Sequence, residues 1–344
     1  MRAVVLTAHG TADNFVDMSL PEPAPNPGEV RVAVRATSFN PVDYQIRQGG
    51  HESKALRSMI LGRDFSGIVV AVAEDVTDFC AGDEVFGYVA DRASSGTYVE
   101  YLCAPAAMLA HKPKSLTHAQ AAAVPVAGIT ACLALKKSGA NRSKSMFVAG
   151  GAGGVGSFVI LLARAMGITT LMTTAGSERS REYLRTVLGL KNGQILNHRS
   201  DQFIQTALEP VGVGYDVTVD LVGKGMLSAC CRLLAMDGNL VSVTEAPSVE
   251  DFDILFDKNA TFHTVGANAY ALSSNRLHLQ QYRTILANLA GQFDSGVLPP
   301  PPVQLLGELS ADVVKQGHYL LQNGFVQGKI VMTVNSHLQA EMDA

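Results

Sequence analysis

The chain has 344 residues, a formal net charge of −4 and a hydrophobic content of 47%. This length is enough for two domains with their own cores. There is no basic excess to indicate a nucleic-acid surface, and no apolar run reaches the ~18 residues of a membrane span. We therefore expect a cytoplasmic protein with no nucleic-acid or membrane partner. Its cysteines form no C-x-x-C pair, which favours reduced thiols.

The first 124 residues are predicted to form short strands joined by turns. The run 30–36 alternates strictly between apolar and polar residues, which is typical of a half-buried strand. The proline-rich segment 20–29 excludes a helix or a central strand. The further strands predicted in this part of the chain are 1–7, 65–72, 85–89 and 96–104. The first of them is too short for the apolar core of a signal peptide.

A glycine-rich turn follows the short apolar run 146–149 and precedes a run with helical spacing. Gly151, Gly153 and Gly156 match the pattern G-x-G-x-x-G. In that pattern the glycines permit a tight turn, close approach of a pyrophosphate and close packing of helix on strand. The helix N-terminus adds N–H groups and a positive dipole. With a second strand predicted over 168–175, the pattern predicts a dinucleotide-binding strand–helix–strand unit.

The residues after that second strand bear on the form of the dinucleotide. An NAD-type site has an Asp or Glu about 20 residues past the motif, where it binds the ribose 2′-OH. Here the chain has Gly176 and Ser177, followed by Arg179 and Arg181, and these side chains suit a 2′-phosphate. We therefore predict NADPH. Two alternatives stay open: Glu178 is the ribose acid if the strand ends later, or the arginines are simply a solvated helix start.

Strands alternate with helices over 145–266, which predicts a parallel sheet with both faces covered. The later predicted strands are 216–221, 239–243, 261–265 and 329–334, and the helices are 226–234, 279–289 and 311–322. The simplest organisation inserts a cofactor domain, 125–266, into a β-rich catalytic domain made of 1–124 and 267–344. The active site is then expected in the cleft, at the carboxyl ends of the parallel strands.

Several short motifs follow one another in an order and with a spacing that resemble those of one known family. They are Ser38–Tyr44, Leu61–Gly67, Gly82–Gly87, Gly96–Tyr101, Ala123–Ala131, the glycine motif and Gln327–Val331. Together they resemble the medium-chain dehydrogenase/reductase superfamily, specifically its zinc-free quinone oxidoreductase branch. The resemblance implies an α/β protein with a Rossmann-type domain inserted into a discontinuous GroES-like domain. It also implies a homodimer whose edge is the run 261–264.

The positions of the zinc ligands distinguish the branches of this family. Zinc-dependent alcohol dehydrogenases of the fold use Cys, His-Glu and a further Cys at three matched places. Here those places hold Asn40, Arg63-Asp64 and Val126, which offer no tetrahedral nitrogen and sulfur set. The resemblance therefore implies no metal. It implies hydride delivery from NADPH to a quinone or to the β-carbon of an α,β-unsaturated carbonyl compound.

The resemblance also suggests four catalytic candidates. Asn40 is expected to polarise the substrate carbonyl or to hold the cofactor ribose, and Thr130 is expected beside the nicotinamide. Tyr44 is a candidate for stacking on a quinone ring, with packing in the hinge as its alternative. Arg63 is the fourth candidate, and a buried ion pair with Asp64 is its alternative role.

On the cofactor side, the glycine motif is expected to contact the pyrophosphate through its backbone. Ser177 and Arg181 are expected to bind the 2′-phosphate, and His198, in place of the branch's frequent tyrosine, to reach the phosphate or the adenine edge. The cofactor-binding candidates are Asn40, Thr130, Gly151, Gly153, Gly154, Val155, Gly156, Ser177, Arg181, His198, Val265 and Lys329. Val265 is expected to meet the carboxamide through its backbone. Lys329 either faces the cleft or is an exposed lysine at the start of a strand.

Together these expectations predict a zinc-independent, NADPH-dependent oxidoreductase that reduces quinones or α,β-unsaturated carbonyl compounds. One alternative is an enoyl or alkenal reductase of the same fold. Another is a nucleotide-binding protein with little catalytic turnover.

Overall fold

The structure is a computed structural model, and it describes residues 1–56, 58–89, 93–273 and 275–335. The strands of this part of the chain are β1 (Arg2–Leu6), β2 (Phe15–Ser19), β3 (Glu29–Ser38), β4 (Asp64–Val72), β5 (Glu84–Tyr88), β6 (Tyr101–Pro105), β7 (Leu109–His111), β8 (Met146–Ala149), β9 (Leu171–Thr174), β10 (Ile195–Leu196), β11 (Tyr215–Asp220), β12 (Leu234–Ser242), β13 (Thr261–Thr264), β14 (Val303–Glu308) and β15 (Lys329–Thr333).

The helices lie between and after these strands. They are α1 (Pro41–Arg47), α2 (His118–Ala122), α3 (Pro125–Lys137), α4 (Gly154–Ala165), α5 (Glu178–Thr186), α6 (Phe203–Leu208), α7 (Met226–Leu233), α8 (Val249–Asp257), α9 (Ala269–Leu272), α10 (Arg276–Asp294) and α11 (Ala311–Gln322). Among the helices of the described ranges, none has both the length and the apolar character that crossing a bilayer requires.

The chain divides into two compact units. The first unit runs from Met1 to Val126 and again from Asn268 onward. Its main sheet has seven strands in the order β14-β15-β3-β4-β5-β7, and β6 also pairs with β3. All its strand pairs are antiparallel except β14 with β15, which are parallel. The sequence from both ends of the chain therefore builds one mixed sheet.

The second unit, Ala127–Ala267, is built on a six-stranded sheet in the order β10-β9-β8-β11-β12-β13. Every pair in it is parallel. All four residues of β8 are buried, as expected for a strand covered on both faces. Because β9 pairs on one side of β8 and β11 on the other, β8 lies at the point where the strand order reverses. The predicted α/β class and inserted parallel sheet are confirmed.

Helices cover this sheet through an apolar core that includes several aromatic rings. Phe147 of β8 lies 5.7 Å from the ring of Tyr215 and 6.0 Å from that of Phe203, measured between centroids. The buried Tyr215 hydroxyl donates to the carbonyl of Ala207 at 2.6 Å, so its burial leaves no unsatisfied polar atom there. Fully burying each such side chain contributes roughly 1.5–3 kcal/mol.

The predicted strand over 96–104 starts later than expected, at Tyr101. The backbone N–H groups of Gly96, Thr97 and Tyr98 donate to carbonyls of the segment 60–62 instead of to a neighbouring strand. A Cβ on Gly96 would lie 2.3 Å from the carbonyl oxygen of Leu61, so only glycine permits this approach. The motif around Gly96 therefore packs against another loop rather than extending the sheet.

Candidate functional site

The glycine-rich turn after β8 is shaped by contacts that exclude side chains. A Cβ on Gly151 would lie 2.2 Å from Oγ1 of Thr173, and one on Gly156 would lie 2.3 Å from the carbonyl oxygen of Gly150. Gly150 itself has φ of +83°, in the left-handed region. The turn and the close approach of α4 to the sheet thus need glycine at these places.

The middle glycine of the motif differs from the other two. A Cβ on Gly153 would meet a single atom within 4 Å, the carbonyl oxygen of Gly150 at 3.5 Å. Gly153 is the N-cap of the twelve-residue helix α4, and no side chain caps that end. Among the described residues, no side chain accepts from the first N–H groups of α4, and the glycine backbone in front of them is bare. These features fit the pyrophosphate of a dinucleotide.

The turn after β9 carries the side chains expected to bind a 2′-phosphate. β9 ends at Thr174, and Ser177 caps α5 by accepting the N–H of Ser180 at 3.1 Å. Glu178 is the exposed first residue of that helix. The half-buried Arg181 donates from its guanidinium to the carbonyl of Ile195 at 3.1 Å. One guanidinium N–H is thus anchored to β10, and within the described ranges the others have no hydrogen-bond acceptor, so they are available to a ligand.

His198 lies against the same turn. A Cβ on Gly176 would lie 2.7 Å from Cε1 of His198, so the imidazole packs on glycine backbone. Its Nδ1 is buried and has no hydrogen-bond partner among the described residues. Burial, followed by the nearby Arg199, lowers the pKa of His198, which favours the neutral ring. A half-buried neutral imidazole with an unused nitrogen fits a contact with a phosphate or an adenine edge.

The loop after β11 is a further part of this edge that the sequence did not reveal. Asp220 is fully buried, and its Oδ1 accepts the N–H groups of Val222 and Gly223 at 3.1 and 3.0 Å. Its Oδ2 accepts the hydroxyl of Thr244 at 2.7 Å. Lys224, which follows Gly223 in this loop, has φ of +52°, a left-handed backbone conformation that is rare for residues other than glycine. Asp220 thus fixes the loop beside the glycine turn, and no local pattern in the sequence predicts that role.

The second unit also contains Thr130 and Val265. Thr130 is buried on α3 and takes part in polar interactions. Val265 follows β13 directly, and its N–H donates to the carbonyl of Ser242 at 3.0 Å. Both stay predictions as nicotinamide contacts.

In the first unit, Asn40, Asp64 and Lys329 form one buried polar cluster. The Lys329 ammonium donates to Oδ1 of Asn40 at 2.6 Å, to Oδ2 of Asp64 at 3.1 Å and to the carbonyl of Phe39 at 3.1 Å. Asn40 Nδ2 donates to Asp64 Oδ2 at 2.9 Å. Because an ammonium can only donate and a carboxylate can only accept, the Asn40 amide must point its oxygen at Lys329 and its nitrogen at Asp64. In the part of the chain that the structure describes, the second Nδ2 hydrogen of Asn40 has no acceptor.

Lys329 is 5% exposed, so the expectation of an exposed lysine at the start of a strand is wrong. It begins β15, and its ammonium reaches across the sheet to the start of β4. Two buried opposite charges compensate one another only when their remaining hydrogen-bonding positions are filled. Here the three ammonium hydrogens have three acceptors, and Asp64 Oδ1 accepts the N–H of Val126 at 2.8 Å.

Arg63 and Tyr44 lie near this cluster in the same unit. The Arg63 guanidinium is buried and pairs with Glu52 at 2.8 Å, while Asp64 pairs with Lys329. Each of the two residues thus has another ionic partner, and an ion pair between Arg63 and Asp64 stays a prediction. Tyr44 is half-buried on α1, and neither of its expected roles is tested.

Two family models match the chain. Residues 26–114 match the alcohol dehydrogenase GroES-like domain, and residues 154–287 match the zinc-binding dehydrogenase model. The quinone oxidoreductase of Sus scrofa is 34% identical over 238 residues, which are 68% of this chain and 69% of that protein. The 2-methylene-furan-3-one reductase of Solanum lycopersicum is 28% identical over 96% of this chain and 79% of its own. The structure of the quinone oxidoreductase from Coxiella burnetii superposes with a TM-score of 0.80 at 29% identity, over 97% of this chain and 99% of that one.

Proposed function

The chain belongs to the quinone oxidoreductase branch of the medium-chain dehydrogenase/reductase superfamily, whose members bind nicotinamide cofactors, and on that premise we propose that it is an NADPH-dependent, zinc-independent reductase of quinones and α,β-unsaturated ketones. The observation that carries this proposal is the buried Asn40–Asp64–Lys329 cluster. Two of the places that hold zinc ligands in zinc-dependent alcohol dehydrogenases of this fold correspond to Asn40 and Asp64, and in this chain both bind the Lys329 ammonium.

This set of side chains does not suit a zinc ion. The Asn40 amide oxygen already accepts from Lys329 and its nitrogen donates to Asp64, and the buried ammonium would repel a second cation. Among the described residues, no three His, Cys, Asp or Glu side chains meet in a way that suits a metal. Without a Lewis acid, simple alcohols lack an activating group, whereas quinones and enones accept a hydride directly.

NADPH is favoured over NADH by the residues after β9. The strand ends at Thr174, so Glu178 lies inside α5 rather than at the strand end where a ribose-binding acid is found. That region holds Ser177, Arg181 and the Nδ1 atom of His198, which has no hydrogen-bond partner among the described residues. These groups suit a phosphate. The bare N-terminus of α4 would hold the pyrophosphate.

When bound, NADPH supplies a hydride, and the protein's part is to position the acceptor and to stabilise the oxyanion that develops on it. Asn40 is the donor we assign to that oxygen. Because Lys329 polarises the amide through Oδ1 and Asp64 fixes one Nδ2 hydrogen, the second hydrogen has a set direction. Thr130 and Tyr44 are assigned to the nicotinamide and to the acceptor ring, respectively.

The test follows oxidation of NADPH and NADH at the nicotinamide absorbance with a benzoquinone, a naphthoquinone, an alkyl enone, an enal and a primary alcohol with NADP⁺. We expect turnover of quinones or enones with NADPH and none of the alcohol. The similarity to a furanone reductase makes the enone the second acceptor of interest. Binding of NADPH without turnover of any acceptor would favour a nucleotide-binding protein instead.

Two neighbouring arginines test the phosphate assignment. Arg181→Ala removes the half-buried guanidinium anchored to Ile195, and Arg179→Ala removes an exposed one on the same helix. We expect the first to raise the KM for NADPH by roughly 10- to 100-fold, since a hydrogen bond to a charged group contributes about 1.5–3 kcal/mol, and to leave NADH unaffected. Arg179→Ala serves as the control. A preference of the unaltered protein for NADH would contradict the assignment.

We also propose a homodimer formed at the edge strand β13. Within the described residues, β13 pairs only with β12, so its other edge is open. Phe256 of the neighbouring α8 is 87% exposed and Met236 63%, which leaves large apolar side chains near that edge. Sedimentation of the purified chain should give a dimer, and Phe262→Pro in β13 should give a monomer. A monomeric parent protein would refute this assembly.

A further inference from the structure

Asp43 is a buried carboxyl group in the first turn of α1 whose two oxygens differ in their partners. Its Oδ2 accepts the backbone N–H of Asn40 at 2.7 Å. Its Oδ1 is buried and has no hydrogen-bond partner among the described residues. The side chain is 1% exposed. An unsatisfied buried oxygen of this kind is costly unless water or a proton satisfies it.

Asp43 lines a small cavity within the first unit. The cavity has a volume of about 30 Å³, and its polar lining residues in the described part of the chain include Ser58, Arg63 and Ser95. A water molecule needs at least about 10–15 Å³ and two to four polar partners, so this space suits one or two waters. The cavity thus leaves room for water beside the buried Asp43 carboxyl.

The surroundings of Asp43 hold its carboxyl close to protonation at neutral pH. Burial raises the pKa of Asp43 to about 7. The Asn40 N–H and the positive charges of Arg63 and Lys329 act in the opposite direction, and the negative charge of Asp64 acts in the same direction as burial. The Tyr98 phenol also lies close to this carboxyl, and burial followed by Asp43 raises the pKa of Tyr98 well above its usual value.

From this geometry we propose that Asp43 holds the proton that the reduced acceptor takes up and passes it on through water in the cavity. The proposal rests on the proposed reductase function. It links Asp43 to the acceptor because Asp43 binds the backbone of Asn40, the residue assigned to the acceptor oxygen.

The proton balance of the step is simple. A quinone or enone that has gained a hydride from NADPH carries two extra electrons and one hydrogen, and its oxygen is an oxyanion. The O–H bond of protonated Asp43 breaks, water relays the proton, and an O–H bond forms on the acceptor. Asp43 remains as a carboxylate beside Arg63 and takes a proton back from solvent. One proton is consumed for each NADPH oxidised.

The chain offers a matched control for Asp43. Asp251 occupies the third position of helix α8, and its Oδ2 accepts the N–H of Ser248 at 3.1 Å, as Asp43 accepts that of Asn40. Burial alone would raise the pKa of Asp251, but hydrogen bonds from Ser228 and Ser248 lower it overall. Asp43→Asn and Asp251→Asn keep the acceptor oxygen of each cap and remove the titrating group.

Two measurements test the proposal. The first is the infrared C=O stretch of a protonated carboxyl in the cofactor-free protein, followed with pH. We expect a band that titrates near pH 7 and is missing from Asp43→Asn but present in Asp251→Asn. The second is kcat against pH with a quinone and an enone. We expect kcat of the parent to fall above about pH 7, and Asp43→Asn to lower it by roughly 100-fold or more and to abolish that fall.

The outcomes separate this proposal from the function on which it rests. No such band, or a band that persists in Asp43→Asn, overturns the role of Asp43 even when quinones and enones are reduced. An Asp43→Asn variant with the parent's kcat and pH profile does the same. If the parent turns over no acceptor, the reductase function fails and proton delivery fails with it. Thermal unfolding of Asp43→Asn confirms that a loss of kcat is measured on folded protein.

Discussion

Asp64 of the first unit and Asp220 of the second are both fully buried, but the two carboxylates are compensated in different ways. In the first unit Asp64 pairs with the Lys329 ammonium and also accepts hydrogen bonds from Ser38 and Asn40. In the second unit Asp220 is surrounded by neutral donors alone among those described, the N–H groups of its own loop and the hydroxyls of strand β12 and its end.

The difference matches what each carboxylate does. A point charge on Lys329 fixes a side chain, Asn40, in one orientation. Two backbone N–H groups and two hydroxyls donate to Asp220 and fix the loop beside the glycine turn. A cation at this place would compete with those N–H groups for the carboxylate. Charge thus organises the proposed acceptor side, and backbone polarity organises the proposed cofactor side.

The largest effect is expected from breaking the buried ion pair. Lys329→Met should destabilise the protein by about 3–5 kcal/mol, because Asp64 is left buried without a counter-charge. A urea titration followed by circular dichroism measures this. Lys315→Met is the control, since Lys315 forms an ion pair with Asp312 at the surface of α11, and there we expect a change below about 1 kcal/mol.

A second substitution distinguishes lost charge compensation from lost packing. Asp64→Asn in the Lys329→Met background removes the uncompensated charge, so it should recover part of the stability. If the double variant is less stable than Lys329→Met alone, the charge pair is not what organises this unit.

Asp43→Asn should change how stability depends on pH. The pKa of Asp43 is raised from 3.8 to about 7 in the folded chain, so folding favours the protonated carboxyl. That contribution is present below about pH 4 and is lost as the pH rises through about 7. Relative to the parent, Asp43→Asn should therefore gain on the order of 4 kcal/mol in free energy of unfolding between about pH 4 and pH 8.

Asp251→Asn should give the opposite sign, because the pKa of Asp251 is lowered in the folded chain. Its carboxylate stabilises the fold above the unfolded-state pKa, and that stabilisation is lost as the pH falls. Urea titrations at several pH values measure both variants. If the unfolding free energies of both variants changed with pH in the same direction, the opposite pKa shifts of Asp43 and Asp251 would be contradicted.

The cofactor side is tested through the backbone. Gly156→Ala would place a Cβ 2.3 Å from the carbonyl of Gly150, so α4 must shift, at a cost of about 1–3 kcal/mol. NADPH binding, measured by nicotinamide fluorescence, should weaken because the N-terminus of α4 moves. Gly291→Ala is the control, since nothing lies within 4 Å of its Cβ position in α10. It should be neutral or stabilising by about 0.5–1 kcal/mol.

Local patterns are sufficient to predict the strand and the helix on either side of the glycine turn. The strand predicted over 146–149 is β8, and the helix after the glycines is α4, because burial on both faces and helical spacing are both visible in a few consecutive residues. In the first unit, the helix predicted over 311–322 is α11. The short helix α1, only seven residues long, has no apolar period and was not predicted.

The polar clusters could not be predicted in the same way. Lys329 and Asp64 are 265 positions apart in sequence, and no periodicity connects them. From adjacent residues alone, Arg63 is the partner that comes to mind for Asp64, and the distant Lys329 is not. Asp220 likewise depends on Thr244 of another loop, so its role emerges only from the fold.

The smallest effect is expected at Asp220. Thr244→Val removes the hydroxyl that donates to Asp220 Oδ2 at 2.7 Å while keeping the size of the side chain, and it leaves three other donors in place. Because the negative charge is spread over several neutral groups, we expect a loss of about 1 kcal/mol and a modest rise in the KM for NADPH. Thr284→Val is the control, since its exposed hydroxyl bonds only to its own helix among the described residues. A loss as large as that of Lys329→Met would mean that Asp220, too, depends on a single partner.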